Sequence, residues 1–293
     1  MISGILLKGY SGFYYVFADG QIWECSLRGR FRLSKQEFLP GDQVKILPGV
    51  GNKGTIEEVE PRRNSLIRPT IANVDQAFLV FACKSPVPDL NLLDRLLVQV
   101  TAAKIKPIIV LNKIDLGTHG DSDSFAADGL DFYQEIGYDL LKVSSKTGQG
   151  IAQLQEHING KISVLAGPSG VGKSSLVNAL SPGLELKTGE VSKKLKRGRH
   201  TTRHVELLVC GDGLLADTPG FSSLFLPPMK REELSAYFPE FQEVGDCRFA
   251  DCLHQKEPDC AVKAALEAGQ IKPSRYEHYC KFLEEVIVAE RRY

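Results

Sequence analysis

Residues 162–180 read ISVLAGPSGVGKSSLVNAL. The stretch predicts a buried strand over 162–166, a glycine-rich turn over 167–174 and a helix that begins near Ser174. The turn has the G-x-x-x-x-G-K-S spacing, in which backbone N–H groups point at phosphate oxygens. The N-terminus of the following helix adds positive potential for the same anion. The sequence therefore predicts an α/β domain that binds the phosphates of a nucleotide at the end of a strand.

The polar side chains that close this turn have separate expected roles. Lys173 is expected to meet the β- and γ-phosphates, and the hydroxyl of Ser174 is expected to hold Mg²⁺. The predicted phosphate-binding residues are Gly167, Pro168, Ser169, Gly170, Val171, Gly172, Lys173, Ser174 and Ser175.

A second motif, Asn112-Lys113-Ile114-Asp115, follows a predicted strand at 108–111. The carboxylate of Asp115 can accept hydrogen bonds from the ring N–H and the exocyclic amine of guanine. Adenine offers neither donor at those positions and would leave the carboxylate unpaired, so the motif selects guanine. Asn112 is expected to bond the outer edge of the purine and to brace the phosphate loop. The stem of Lys113 is expected to lie over the base.

The order of these two motifs is the reverse of the usual one. In ordinary GTPases the phosphate loop precedes the guanine motif, whereas here residues 112–115 precede residues 167–174. Both motifs are intact, which indicates a circularly permuted GTPase domain. Ser144-Ser145-Lys146 follows another predicted strand, at 140–143, and would close the pocket around the base.

A fourth segment, Asp217-Thr218-Pro219-Gly220, follows a predicted strand at 214–216. Asp217 can reach Mg²⁺ through water, and the N–H of Gly220 can sense the γ-phosphate. The alternative interpretation is an ordinary Pro-Gly turn.

The chain divides into three segments of different pattern. Residues 1–64 contain about five short strands (2–8, 13–17, 22–25, 43–47 and 54–59), which suits an oligonucleotide-binding (OB) type of barrel, with or without RNA affinity. Residues 65–225 alternate strands and helices and predict a mostly parallel sheet. The predicted elements include a helix at 151–158 and a strand at 205–209, and the polar stretch at 117–129 is predicted to be a loop. Residues 226–293 are predicted to be helical and to end in an amphipathic helix.

Composition narrows the possible partners. The chain has 36 basic and 36 acidic residues, so any contact with RNA has to come from a local patch. No run of about 18 apolar residues is present, and residues 1–10 lack the features of a signal peptide. We therefore expect a cytoplasmic protein that does not associate with membranes.

Four ligand-type side chains lie close together in the last segment: Cys247, Cys252, His254 and Cys260. Three thiolates and one imidazole suit tetrahedral zinc in a closed, structural site. The alternative is a group of free thiols. Cys25, Cys83 and Cys210 are expected to be small buried residues.

Together, these residues resemble the circularly permuted GTPases of the RsgA type, over nearly the whole chain. The resemblance implies a GTPase with a slow intrinsic rate that hydrolyses GTP to GDP and is stimulated by the small (30S) ribosomal subunit. It also implies a late small-subunit maturation factor that binds ribosomal RNA through its barrel and zinc domain. The expected cofactors are one structural Zn²⁺, and Mg²⁺ with GTP. A monomer is expected.

The resemblance also points to catalytic residues between the phosphate loop and Asp217. Many GTPases orient the attacking water with a glutamine directly after the Asp-x-x-Gly motif, but this chain has Phe221 there. The family suggests a histidine in the first switch loop, which makes His200 the candidate; a solvated loop residue or an RNA contact is the alternative. Thr201 or Thr202 would be the second protein ligand of Mg²⁺, and the sequence does not choose between them.

Residues 187–203 carry seven Lys or Arg against one acid, Glu190. Such runs are usually only solvated, but this run lies in the first switch region and could contact ribosomal RNA phosphates. Permutation also places residues 217–220 directly before the last segment. We therefore expect GTP to reposition the zinc domain through this connection.

Two other functions remain open at this stage. One is a GTP-regulated RNA-binding module with negligible hydrolysis, which Phe221 would tolerate. The other is a GTPase that acts on a different partner. An ATPase is disfavoured because Asp115 opposes adenine.

Overall fold

Three parts follow one another along the chain: a closed barrel, a six-stranded sheet with helices on both faces, and a helical C-terminal region. The computed structural model describes residues 1–29, 31, 37–67, 69–117, 130–181, 205–216 and 225–291. Among these residues, no helix is long and apolar enough to cross a membrane.

Five strands close the N-terminal barrel, and the prediction of a five-stranded OB-like barrel is confirmed. They are β1 (Ile2–Tyr10), β2 (Phe13–Ala18), β3 (Gln21–Leu27), β4 (Gln43–Pro48) and β5 (Lys53–Val59). They pair in the order β1-β2-β3-β5-β4, β4 returns to β1, and only β3 and β5 run parallel. Successive side chains of a strand point to opposite faces, and Val16, Trp23 and Ile56 point into the barrel core.

A predominantly parallel sheet forms the central part of the chain. A short antiparallel pair, β6 (Ser65–Ile67) and β7 (Thr70–Ala72), leads into it. The sheet consists of β8 (Gln76–Ala82), β9 (Lys106–Asn112), β10 (Asp139–Lys142), β11 (Ile162–Ala166), β12 (Leu207–Cys210) and β13 (Gly213–Ala216). Its order is β10-β9-β8-β11-β13-β12, and only the edge strand β12 is antiparallel to its neighbour. β8 and β11 are buried along their whole length, as continuous apolar runs in parallel sheets are.

Helices cover both faces of this sheet. Alternate residues of β8 divide between two cores: one includes α1 (Leu90–Ala102) and α2 (Asp131–Glu135), and the other includes α3 (Ile151–Ile158) and α4 (Lys173–Leu180). Asp89 begins α1, because its carboxylate accepts from the N–H groups of Asn91 and Leu92, a cap that contributes about 1 kcal/mol. This sheet and its four described helices carry the predicted GTPase motifs, and we call them the GTPase region.

The C-terminal region (residues 225–291) is built from short helices around one long helix. A 3₁₀ helix (Arg231–Tyr237), α5 (Pro239–Gln242), α6 (Ala261–Glu267) and α7 (Pro273–Glu290) pack on a core that includes Phe238, Tyr279 and Phe282. The helix predicted over the last twenty residues is therefore present, and the predicted metal ligands lie around the irregular segment between α5 and α6.

One predicted boundary is displaced. The strand expected at 205–209 runs from Leu207 to Cys210. A tight turn sets this position, because Cys210 pairs with Gly213 and Gly211 adopts a positive φ of 61° between them. Most of the loop expected at 117–129 lies outside the described residues.

Candidate active site and metal centre

The phosphate loop follows the carboxyl end of β11 and runs into α4, as predicted. Gly167 and Gly172 have positive φ angles of 138° and 94°. A Cβ atom on Gly167 would lie 2.1 Å from the carbonyl oxygen of Val80, and one on Gly172 would lie 2.5 Å from Nδ2 of Asn112. Both positions therefore need glycine, because the loop passes directly against β8 and against the guanine motif.

Lys173 and the start of α4 give the loop its positive character. The ammonium of Lys173 donates to the carbonyl oxygens of Gly167 (2.8 Å) and Pro168 (2.7 Å), so the loop wraps around the charge. No described side chain caps the first turn of α4. Its backbone N–H groups are therefore suited to bind an anion.

Asn112 joins three segments that are far apart in sequence. It ends β9 and is fully buried. Its amide donates to the carbonyl oxygen of Val171 at 2.9 Å and accepts from the N–H of Ser145 at 3.1 Å. The bracing of the phosphate loop that we expected from Asn112 is present, and the same side chain positions the 144–146 segment.

Lys113 makes a second link to the phosphate loop. It adopts the left-handed conformation, with φ of 62°. Its ammonium donates to the carbonyl oxygens of Gly170 and Ser85, both at 2.6 Å. Ser85 belongs to the loop after β8, a segment for which the sequence predicted no role in the site. The position of this loop could have indicated a role in the site, because β8 lies between β9 and β11 and its loop follows the same edge of the sheet.

A buried serine orients the carboxylate of Asp115. Asp115 lies in a short 3₁₀ turn (Ile114–Leu116), and its Oδ1 accepts a hydrogen bond from the hydroxyl of Ser144 at 2.6 Å. The same Ser144 oxygen accepts from the N–H of Thr147 at 3.1 Å, so the hydroxyl proton has to point at Asp115. The sequence placed Ser144 in the pocket but did not reveal this contact.

Replacing Ser144 by Ala should lower the affinity for GTP about tenfold, because the guanine-selecting carboxylate loses the hydrogen bond that orients it. The dissociation constant of a fluorescent GTP analogue measures the effect. Thr147→Ala is the matched control, since it removes an exposed hydroxyl of the same segment that accepts from the N–H of Gln149 and does not bond to Asp115. Equal losses in both variants would contradict the orienting role.

Several predicted residues lie outside the described residues: His200, Thr201, Thr202, Asp217, Gly220, Phe221 and the basic run at 187–203. The strand that precedes Asp217 is nevertheless informative. Its last residue, Ala216, pairs in parallel with Val164 of β11, so β13 leads to the same edge of the sheet as the phosphate loop.

The four predicted metal ligands come together in the C-terminal region. The ligand atoms of Cys247, Cys252, His254 and Cys260 all lie within 4.8 Å of one another. The two sulfurs of Cys247 and Cys260 are 3.8 Å apart, and each is 3.5 Å from Nδ1 of His254. A tetrahedral zinc site requires about 3.8 Å between sulfurs and about 3.5 Å between sulfur and nitrogen. The cluster is therefore compatible with zinc.

The protonation of these groups also suits a cation. Burial lowers the pKa of His254, which favours the neutral imidazole that binds metals. Burial alone would raise the pKa of Cys247, but the N–H groups of Ala261 and Val262 lower it. Burial raises the pKa of Cys252 to about 12, and a bound cation would lower it by stabilising the thiolate.

Side chains around the cluster hold its backbone. The carboxylate of Glu257 accepts from the N–H groups of Leu253, Gln255 and Lys256 at 2.9 to 3.0 Å. The hydroxyl of Tyr276, on α7, donates to the carbonyl oxygen of His254 at 2.6 Å. These hydrogen bonds hold the backbone that carries the four ligands.

Comparison with known proteins agrees with this geometry. The RsgA GTPase family model matches residues 59–227, and the RsgA N-terminal domain model matches residues 3–56. The chain belongs to the RsgA GTPase family. A relative from Moorella thermoacetica, named small ribosomal subunit biogenesis GTPase RsgA, is 54% identical over 100% of both chains. A relative of the same name from Geobacillus thermodenitrificans is 48% identical, again over 100% of both chains.

Two solved structures are similar over nearly the whole length of this RsgA family member. YloQ, described as a circularly permuted GTPase, is 42% identical, with a TM-score of 0.84 over 99% of this chain and 96% of that chain. YjeQ from Thermotoga maritima is 38% identical, with a TM-score of 0.80 over 98% of both chains. The reversed motif order is therefore a true circular permutation, and the chain is a GTPase.

Proposed function

We propose that this RsgA family member hydrolyses GTP to GDP and phosphate, and that the small (30S) ribosomal subunit stimulates this reaction during late subunit maturation. The observation that carries the proposal is the direct bonding of Asn112 and Lys113 to the carbonyl oxygens of the phosphate loop. Two motifs in reversed order thereby form one site. The names of the relatives supply the link to the small subunit.

Each described side chain would act on a different part of GTP. Asp115, oriented by Ser144, would accept from the guanine base. Lys173 would leave the loop carbonyls and bind the β- and γ-phosphates. The remaining proposed contacts with GTP come from Ile114, Ser145, Lys146, Ser175, Asp217 and Gly220, together with the glycine-rich loop at 167–172.

Ser174 lies in the first turn of α4, the position at which the phosphate-loop spacing predicts a magnesium ligand. Its hydroxyl would be one protein ligand of Mg²⁺, and Thr201 or Thr202 would be the second. Held there with GTP, Mg²⁺ would supply positive charge that offsets the negative charge developing during hydrolysis. We also propose that the Cys₃His cluster holds one structural Zn²⁺, since four protein ligands leave no open position for catalysis.

The residue that activates water is proposed from the sequence. Phe221 has no polar group that could orient water. His200 is the candidate to do so, and the intrinsic rate is expected to be slow.

Replacing His200 by Ala should leave GTP binding unchanged and reduce subunit-stimulated turnover about 100-fold or more. The change removes the proposed water-orienting group but none of the residues that bind the base or phosphates. Phosphate release at saturating subunit concentration measures the effect, and His157→Ala, a histidine on α3, is the control. Stimulated turnover that stays at the parent level would remove His200 from the mechanism.

The proposed partner is the ribosomal RNA of the small subunit, bound by the barrel, the C-terminal region and the basic run at 187–203. If the basic run pairs with phosphates, subunit affinity should fall steeply with salt, about 10³-fold between 50 mM and 200 mM for six or more phosphate contacts. Binding measured at several salt concentrations tests this expectation. A flat response would leave the basic run without an RNA role.

Phosphate release from GTP and ATP, with and without small subunits, tests the proposed function as a whole. Stimulated, repeated release from GTP alone supports it. Tight GTP binding without release, even with subunits, would favour the alternative of a GTP-regulated RNA-binding module with negligible hydrolysis, which the apolar Phe221 makes conceivable. We further propose a cytoplasmic monomer with domain boundaries at residues 1–64, 65–225 and 226–293.

A further inference from the structure

The long helix α7 contacts two different parts of the molecule. One side faces the metal cluster, where the hydroxyls of Tyr276 and Tyr279 donate to the carbonyl oxygens of His254 and Leu253 at 2.6 Å and 3.0 Å. The side that carries Arg275 faces the GTPase region. A single helix therefore connects the metal ligands to α1.

Arg275 is the centre of this second contact and is only 2% exposed. Its guanidinium donates to Asp94 of α1 at 2.5 Å, and to both carboxylate oxygens of Glu240 of α5 at 2.6 Å and 3.0 Å. Burial alone would lower the pKa of Arg275, but the charge of Asp94 and the hydrogen bonds to Glu240 raise it. The guanidinium is therefore charged and paired with two buried carboxylates, one from each region.

Asp94 is bound just as tightly from several directions. It is fully buried, and its Oδ1 also accepts from the hydroxyl of Tyr133 at 2.7 Å. Its Oδ2 lies 2.6 Å from Nδ1 of His278, which is one turn along α7 from Arg275. The carboxylate on α1 is thus held at once by α2 and by two residues of α7.

Neighbouring contacts extend the same interface. Arg95 forms a two-pronged ion pair with Glu285 of α7, at 2.6 Å and 2.7 Å. Val98 of α1 belongs to the apolar core of the C-terminal region. Gln99 of α1 donates to the carbonyl oxygen of Phe225 at 2.6 Å. The first described residue of the C-terminal region is therefore hydrogen-bonded to α1.

These contacts make movement between the two regions costly. A rotation of α7 on α1 would separate buried, hydrogen-bonded charges and leave them unpaired in an apolar environment. We propose that the GTPase region and the C-terminal region keep one relative orientation in the GDP and GTP states, held by the buried joint of Asp94, Arg275 and Glu240. A fixed orientation is the opposite of the expectation, drawn from chain order, that GTP repositions the zinc domain through residues 217–220.

A distance measurement across the joint tests the proposal on the full chain. Spin labels are placed at Glu156 on α3 and Glu267 on α6, both exposed, as encoded unnatural amino acids, so that the native cysteines stay unmodified. Double electron–electron resonance measures the distance between the two labels. With GDP and with a non-hydrolysable GTP analogue, it should give one narrow distance distribution with the same mean. A mean that shifts between the two nucleotides would overturn the fixed joint.

The variant Asp94→Asn removes one of the two carboxylate charges that face Arg275. It should broaden the label distribution while zinc content and nucleotide binding stay at parent levels. Arg231→Met is the matched control, since its ion pair with Glu290 lies within the C-terminal region, and it should leave the distribution narrow. An unchanged distribution in Asp94→Asn would show that this cluster does not hold the joint.

A milder change covers the case in which Asp94→Asn does not fold. Tyr133→Phe removes only the hydroxyl that donates to Asp94, and it should raise hydrogen exchange in α1 and α7 together. Exchange that rises in α2 alone would contradict the joint. The design rests on the proposed function only in its choice of nucleotides. Failure to bind them would count against that function, while the comparison of Asp94→Asn with the parent without nucleotide still tests the joint.

Discussion

Replacing Asp115 by Asn should lower the affinity for GTP on the order of a thousandfold and reverse the preference toward xanthosine triphosphate. The carboxylate accepts two hydrogen bonds from guanine, whereas an asparagine amide donates one and accepts one. Xanthine carries a carbonyl where guanine carries the amine, so it matches the amide. The oxygen of Asn can still accept from Ser144, which keeps the side chain oriented.

The dissociation constants of GTP and xanthosine triphosphate measure this reversal of preference. Asp139→Asn is the matched control, because Asp139 is an exposed partner of Lys106 at the start of β10 and should affect neither nucleotide. A variant that loses GTP and xanthosine triphosphate alike would point to a damaged fold. A variant that still binds GTP as the parent does would remove Asp115 from base recognition.

Replacing Cys260 by Ser should abolish zinc binding and destabilise the C-terminal region by about 5 kcal/mol or more, since structural zinc contributes about 10–16 kcal/mol in isolated finger peptides. The C-terminal region is expected to unfold only in part, because Phe238, Tyr279 and Phe282 form an apolar core beside the cluster. Metal content and thermal unfolding, with and without added zinc, measure the effect.

Cys280→Ser is the control for the metal prediction. Cys280 lies on α7, within the same region, but it is not one of the four clustered ligands. It should therefore keep one zinc per chain and the stability of the parent. If Cys260→Ser retained a full equivalent of zinc, the four-ligand site would be wrong.

Local patterns account for most of the fold. The strand at 162–166 and the helix at 151–158 were predicted with the limits that the structure has, because a buried parallel strand and an amphipathic helix have distinct periods. The motif residues could also be predicted from the sequence, since glycine, lysine and aspartate at fixed spacing reflect backbone and charge requirements within a few residues. The strand at 205–209 was displaced because a turn, rather than apolar content, sets its register.

What the sequence by itself determined was the chemistry of each segment: a phosphate loop, a guanine motif, a four-ligand cluster and a barrel of alternating strands. Only the tertiary structure decided how these segments meet, including the contact of Lys113 with Ser85 and the burial of Arg275 between Asp94 and Glu240. The physical reason is that such contacts join residues that are far apart in the sequence, as Arg275 and Asp94 are, 181 positions apart. Their partners are selected by the packing of whole helices and strands, and no short-range period in the chain records that packing.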